Sequence, residues 1–382
     1  MSAYHQMGHD SENLLWAEEL NAYHGAILSP VNYGIVKTAA QTEWARSREN
    51  FETIFDPQMY VPNSEQGCLR EWPYIPPDVD TADLASDIWW DTVLDDLIAT
   101  CDTIRPTTVC SPAPLPRTYT DEYFAHIVEI GDRMCSRLPS TNLRSLQTAV
   151  VGISDLAAAG RPMAIASILS RTRASGVYLV LVSQKEPRRE IADVEEIKGA
   201  MRLIAALRSA EMEVTVGFSS SDVLLWKAAG ATHCATGKFF NLRRFTRTRF
   251  EEPSGQGGGQ LPYWFEESLV AFLRQSDVQR VIPMNLPDCG VSPNPFGGRI
   301  IEQLRVNPEQ AWLALAWRQF MFWFADAEHR LGAGATDAVA ILRNADNNWR
   351  SLDEIDFIME ERRNDGSWIR PWRRALAEFN AR

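Results

Sequence analysis

The stretch Val177–Gly217, VYLVLVSQKEPRREIADVEEIKGAMRLIAALRSAEMEVTVG, holds the pattern on which the fold turns. Val177–Ser183 is a short, almost unbroken apolar run, as a strand buried on both faces requires. Over residues 193–210 the period changes: Ile197, Met201, Ile204 and Leu207 recur at helical spacing. Val214–Gly217 is apolar and β-branched again. Strand, helix and strand in this order make a βα unit, whose strands pair in parallel through a right-handed crossover.

The alternation continues on both sides. AILS (26–29), TIFD (53–56), TTVCS (107–111) and TAVVGI (148–153) precede this stretch, and HCATG (233–237) follows it. Residues 82–102 set Trp89, Val93 and Leu97 on one helical face and Asp83, Asp87, Asp91 and Asp95 on another, which reads as a solvated face. Residues 121–138 carry Phe124, Ile127, Val128 and Met134 at similar spacing. Strands and helices alternating from Gly25 to Gly237 favour an α/β fold, a (β/α)8 TIM-like barrel, over an open sheet. For the eighth strand the best candidate is Arg280–Met284.

Residues 1–24 are expected to form a tail and short helix, with Leu14, Leu15, Ala17 and Leu20 as its apolar side. His5 and His9 fall in this tail. Residues 25–298 are the expected catalytic barrel and 299–382 a helical C-terminal region, with helices near 307–332, 336–360 and 369–381. Trp312, Trp317, Trp323, Trp349, Trp368 and Trp372 read there as helix-packing residues. PSGQGGGQLP (253–262) is a Gly- and Pro-rich loop.

Composition narrows the function. Hydrophobic residues are 45% and charged residues 23%, ordinary globular values that exclude wholesale disorder. No apolar run reaches the length of a membrane span, and the polar start MSAYHQMGHDSENLLW lacks the features of a secretory signal. A cytoplasmic protein is expected, with its 6 cysteines reduced and packed, since none stands in a Cys-x-x-Cys pair. No metal or cofactor is expected. A net charge of -12 excludes a generally basic nucleic-acid coat but not one local basic groove.

Barrel enzymes place their chemistry at the C-terminal ends of the strands. Asp56 ends an apolar strand and precedes Pro57. A carboxylate there can serve as general base or nucleophile, or stabilise an oxocarbenium-like cation; it can also simply cap a turn. Asp155, after the fourth of these strands, is a second candidate carboxylate or a helix cap. Gln58, Tyr60 and Gln184 stand at strand ends where a base could be read or stacked. Ser219–Ser221 either binds an anion or caps a helix. His233 reads as structural. KFFNLRRFTRTRF (238–250) sets Lys238, Arg243, Arg244, Arg247 and Arg249 among phenylalanines with no acidic residue. Cations that meet phosphates and aromatics that stack on bases point to nucleic-acid contact; an amphipathic strand with a solvated basic face has the same composition.

Two segments resemble the tRNA-guanine transglycosylase superfamily, TIM-barrel enzymes that exchange a nucleobase at its N-glycosidic bond and include relatives acting on DNA. FDPQMY, with Asp56 and Gln58, is similar to the family's Asp-Ser-Gly-Gly-Phe-Gln strand end facing the base. VGFSSSDVLLWKAAGATHCATGKFFNLRR (216–244) looks like the strand–helix–strand that leads to its nucleophilic aspartate and a basic stretch. Where that aspartate would fall, this chain has Ala235, and the family's zinc ligands are absent. This departure from the family leaves open cleavage of the same bond by water. It points to a DNA glycosylase attacking a modified base, best matched by glucosylated hydroxymethylcytosine in viral DNA, with Asp56 as the main catalytic group. Lys238 could contact phosphate or trap an aldehyde. Base exchange in tRNA or DNA through another nucleophile, a non-catalytic nucleic-acid-binding barrel, and a small-molecule enzyme holding phosphate at Ser219–Ser221 are the rival readings.

Overall fold

A computed structural model describes residues 3–15, 17, 20–138, 143–251, 260–286, 289–290 and 294–381. Eight parallel strands close a barrel in strict chain order: β1 (Tyr4–Gln6), β2 (Gly25–Leu28), β3 (Glu52–Phe55), β4 (Thr108–Cys110), β5 (Arg144–Gly152), β6 (Gly176–Val182), β7 (Glu213–Val216) and β8 (His233–Thr236). Between them lie α1 (Glu12–Leu15), α2 (Ile35–Arg46), α3 (Asp87–Ile104), α4 (Asp121–Arg137), α5 (Arg161–Leu169), α6 (Val194–Ser209) and α7 (Val223–Ala228). The (β/α)8 expectation is correct.

The eighth strand lies elsewhere than expected. Arg280–Met284 is helical, ending α8 (Gln275–Val281) and forming the turn Ile282–Met284. The missing strand is β1, inside the segment read as a tail. Tyr4 and His5 pair with Gly25 and Ala26 of β2 on one side and with Ala235 and Thr236 of β8 on the other. The sequence YHQ has too few apolar residues to announce a buried strand. It is buried because it closes the barrel.

Local chemistry explains the helices. Ser86, Thr120 and Asp193 cap α3, α4 and α6, each accepting a backbone N–H of the first turn. Asp87, Asp91 and Asp95 on α3 pair with Arg133 and Arg137 on α4, so this acidic face is shared with a neighbour rather than wholly solvated. Gly199 lets α6 approach the turn at Leu156; a Cβ there would lie 2.0 Å from the Leu156 carbonyl oxygen.

After β8 the chain forms the hairpin β9 (Trp264–Glu266) and β10 (Ala271–Leu273), then α8, α9 (Gly297–Val306), α10 (Leu313–Gly332), α11 (Ala338–Asp353) and α12 (Ile369–Asn380). Most of the Gly-rich loop, 252–259, lies outside the described residues. The long C-terminal helix α10 packs on β8 and α7, in the place of a barrel's eighth helix. A buried ion pair between Lys227 of α7 and Glu328 of α10, 2.9 Å long, fastens it. Trp312, Trp323, Trp349, Trp368 and Trp372 are buried, as expected of packing residues, and Trp317 is half-buried. Among the described residues no helix is long and apolar enough to cross a membrane.

Candidate functional site

Asp56 follows β3 directly. Phe55 packs against Trp72 and Tyr74, and strand alternation turns the next side chain the other way, into the barrel mouth. Beyond Pro57 the backbone turns sharply, with Gln58 in the left-handed region at φ 55°. That turn brings the Gln58 N–H onto Asp56 Oδ1 at 2.9 Å, and the Tyr60 hydroxyl donates to Oδ2 at 2.8 Å. Asp56 is only 1% exposed. Burial pushes its carboxyl up to about 7, against the Gln58 N–H, the Tyr60 hydroxyl and the Arg249 guanidinium, which all favour the anion. The group therefore sits where it can be acid or base near neutral pH.

Gln58 is also buried. Its Oε1 accepts the Val31 N–H at 3.0 Å, which leaves Nε2 as a donor with no acceptor among the described residues. The orphaned donor and the positive φ are costs that a purely structural turn would avoid.

The segment after β8 folds back across the mouth. Phe245 forms a backbone bridge with Val182 at the end of β6. Phe245 and Phe250 pack on the Tyr60 ring at centroid distances of 5.0 and 5.2 Å, and Phe218 packs on Phe245 at 5.3 Å. Arg249 reaches under this aromatic cap and donates to Ser29 Oγ at 3.1 Å and Asn32 Oδ1 at 2.6 Å. Burial lowers its guanidinium to about 10, with Asp56 the leading group that opposes the shift.

The remaining basic residues do not form the expected surface. Lys238 is buried, its ammonium over the rings of Trp317 and Phe239 at 4.6 and 4.7 Å. Arg243 is buried, donates to the carbonyls of Gly237 and Lys238, and lies 3.9 Å over the Phe320 ring. Arg244 pairs with Glu190 at 2.9 Å, both sides nearly enclosed. Only Arg247 is exposed, and it pairs with Glu251. Aromatic rings, the carbonyls of Gly237 and Lys238, and Glu190 hold Lys238, Arg243 and Arg244 internally, so much of this basic composition stiffens the rim rather than coating it.

Asp155 does not join Asp56. It receives the Arg161 Nε at 2.7 Å, at the start of a short helical turn. Gln184 is exposed on the rim after β6. Ser219–Ser221 is not an open anion cradle. The N–H groups of Ser219 and Ser220 go to Ala235 O and Asp222 Oδ1, and the Ser221 hydroxyl donates to Glu190 at 2.6 Å. His5 is fully buried in β1 rather than in a tail.

Two features escaped the sequence reading. Asp222 is buried beside Arg244 and Glu190, and burial raises its carboxyl to about 7, with Arg244 opposing and Glu190 adding to the shift. The run Ser-Ser-Ser-Asp ahead of a helix was the only signal for it. The second is a cleft of about 610 Å³ on the rim beyond β6 and β8, lined among others by Arg188, Phe239, Phe240 and Tyr263. Arg188 donates to the Tyr263 hydroxyl at 3.1 Å and lies near the Phe240 ring. Arg188 and Tyr263 are far apart in sequence, so no motif joins them. Among the described residues no group of His, Cys, Asp or Glu could hold a metal ion.

The chain matches no protein-family model and no curated protein.

Proposed function

We propose that this barrel is a DNA glycosylase that hydrolyses the N-glycosidic bond of a modified nucleobase and leaves an abasic site. The observation that carries the reading is Asp56, a buried carboxyl at a strand's C-terminal end that burial holds near neutrality between the Tyr60 hydroxyl and the Gln58 N–H. Departure of a base from deoxyribose builds positive charge on the sugar and negative charge on the base. As a carboxylic acid, Asp56 can give its proton to the departing base. As a carboxylate, it can orient water and face the cationic sugar. Arg249 supplies a cation for the nucleotide's phosphate, and the free Gln58 Nε2 supplies a donor for a base acceptor.

A base inside a duplex must be flipped out to reach such a depth. Phe245 and Phe250 cover the site and have to yield to it, after which their faces can stack the base. Neighbouring nucleotides would lie in the cleft of about 610 Å³ at Arg188, Phe240 and Tyr263. β8 ends in Ala235 and Thr236, without a carboxylate nucleophile, which supports hydrolysis over base exchange. The substrate best matching this reading is glucosylated hydroxymethylcytosine in viral DNA, attacked in the cytoplasm as a defence against phage.

The test uses matched DNAs carrying cytosine, hydroxymethylcytosine or its glucosylated form. Released base is measured by mass spectrometry and abasic sites by alkali-induced breaks. Release from the glucosylated DNA is expected, with Asp56→Asn reducing it by about 10²–10⁴-fold while binding persists. No release from any of the three, or unchanged turnover in the variant, overturns the reading.

A further inference from the structure

The helices α11 and α12 carry arginines that the barrel mouth does not use. Asp346 of α11 is 2% exposed and receives three guanidinium groups: Arg350 of α11 at 2.6 Å, Arg370 of α12 at 3.2 Å, and Arg373 of α12. One carboxylate meets three cations, so positive charge is left over. The cations are not enclosed with their partner. The side chains of Arg350, Arg370 and Arg373 are 53%, 67% and 35% exposed. A guanidinium has five N–H donors, so most of each fork is left for solvent. Arg343 is exposed on the same stripe of α11, two helical turns before Arg350, and adds a fourth cation.

Neighbouring charges do not cancel this excess. Lys198 of α6 pairs with Glu195 and Glu378, and Arg374 also pairs with Glu378, so these four balance one another. Asp353, Glu354 and Asp365 are exposed beyond the patch, toward the segment that joins the two helices. In a chain of net charge -12, this is a local reversal of sign. The patch also adjoins the rim cleft. The Trp372 indole donates at 2.6 Å to the carbonyl of Ile191, in the segment between β6 and α6 that carries Arg188. Arg363 pairs with Glu186 of the cleft at 2.9 Å, and Tyr263 of the cleft donates to Glu361 at 3.0 Å. Residues 361–373 thus run from the cleft to the arginines.

We propose that Arg343, Arg350, Arg370 and Arg373 form a contact for the phosphate backbone of duplex DNA, outside the barrel and next to the cleft. The inference rests on the reading of this barrel as a DNA enzyme. It supplies the sequence-independent affinity that the inward-facing arginines of 238–250 do not. All four cations are arginines, whose planar forks match phosphate oxygens two at a time. Asp346 holds three of them in fixed directions, which lowers the entropy lost when a phosphate binds. Trp349, Trp368 and Trp372 are turned inward, so the face offers cations without the exposed rings that seat a helix in lipid.

The test is binding of the full chain to an unmodified DNA duplex, followed by fluorescence anisotropy over a series of salt concentrations. Arg343→Gln, Arg350→Gln and Arg370→Gln are combined in one variant, in which Arg373 still meets Asp346. Affinity should fall at least about tenfold, and the slope of log affinity against log salt should flatten by about three. Lysine at the same three positions should keep most of the slope. Arg343→Gln alone, which leaves Asp346 fully met, should flatten it by about one and serves if the triple variant does not fold. Lys37→Gln, Arg46→Gln and Arg305→Gln together remove the same charge from α2 and α9 and should leave the slope near that of the parent. An unchanged slope in the patch variants, an equal loss in the control, or a parent that binds phosphatidylserine vesicles but not duplex overturns the proposal. Base release separates the two readings. A protein that binds duplex through this patch and releases no base loses the glycosylase reading alone. One that releases base while the patch variants bind as the parent does loses only this inference.

Discussion

A carboxyl enclosed at the end of β3 ties the stability of the fold to pH. Burial raises Asp56 to about 7 in the folded protein, whereas an unfolded chain releases this proton near pH 4. The native state therefore holds a proton that the unfolded state has lost, and its stability falls as pH rises through that interval. Below it the contribution is complete; above pH 7 it is gone. Asp222 acts in the same sense. Asp56→Asn should thus be more stable than the parent at pH 8, by at most about 4 kcal/mol, and should differ little at pH 4. Urea unfolding at the two values checks this; an equal loss of stability at both would show that Asp56 is held as an anion. The place of Asp56 at the end of a barrel strand was legible from the apolar run before it and the proline after it. Arg243 and Arg244 were misplaced because a basic, aromatic string reads alike whether its cations face phosphate or fold back on Phe320 and Glu190.

At the scale of elements, the joint between α7 and α10 carries the clearest prediction. Lys227 and Glu328 are 6% and 0% exposed, and Lys227 also donates to the Thr232 carbonyl. Lys227→Met leaves the Glu328 charge buried without its cation and should destabilise the protein by about 3–5 kcal/mol. Replacing both residues with apolar ones should recover much of that loss, because the joint is otherwise packed. A double-mutant cycle in denaturant measures it, and a single-variant loss below 1 kcal/mol would mean that water reaches the pair. The helices around this joint were largely legible: residues 307–332, 336–360 and 369–381 contain α10, α11 and α12. Their 3.6-residue apolar period is a local property. β1 was not legible, since three residues have no period to show.

Across the whole molecule, the C-terminal helices are part of the barrel wall. α10 covers β8 and α7, α12 packs on α6, and Tyr23, ahead of β2, donates to the Met321 carbonyl in α10. A chain ending at residue 298 would uncover β8 and the apolar side of α7. It should aggregate or expose a large hydrophobic surface to a dye, whereas a monomeric product with native near-ultraviolet dichroism would show that the barrel stands alone. The net charge of -12 agrees with the internal pairing of the basic rim segment: little positive surface remains there. On the proposed reading, affinity for DNA at the mouth comes from few cations, Arg249 in the barrel mouth and Arg188 at the cleft.

The sequence by itself determined the class of fold, the order of β2 to β8, the helical C-terminal region and the position of Asp56. All of these follow from periods and residue types within a few turns of chain. Only the tertiary structure decided that the first strand closes the barrel, that α10 stands where the eighth helix belongs, and that Arg243 and Arg244 face inward. It also brought the hydroxyl of Tyr60 and the guanidinium of Arg249 to Asp56. These depend on which distant segments share the same low-dielectric space, and burial of that kind leaves no periodic trace in the chain.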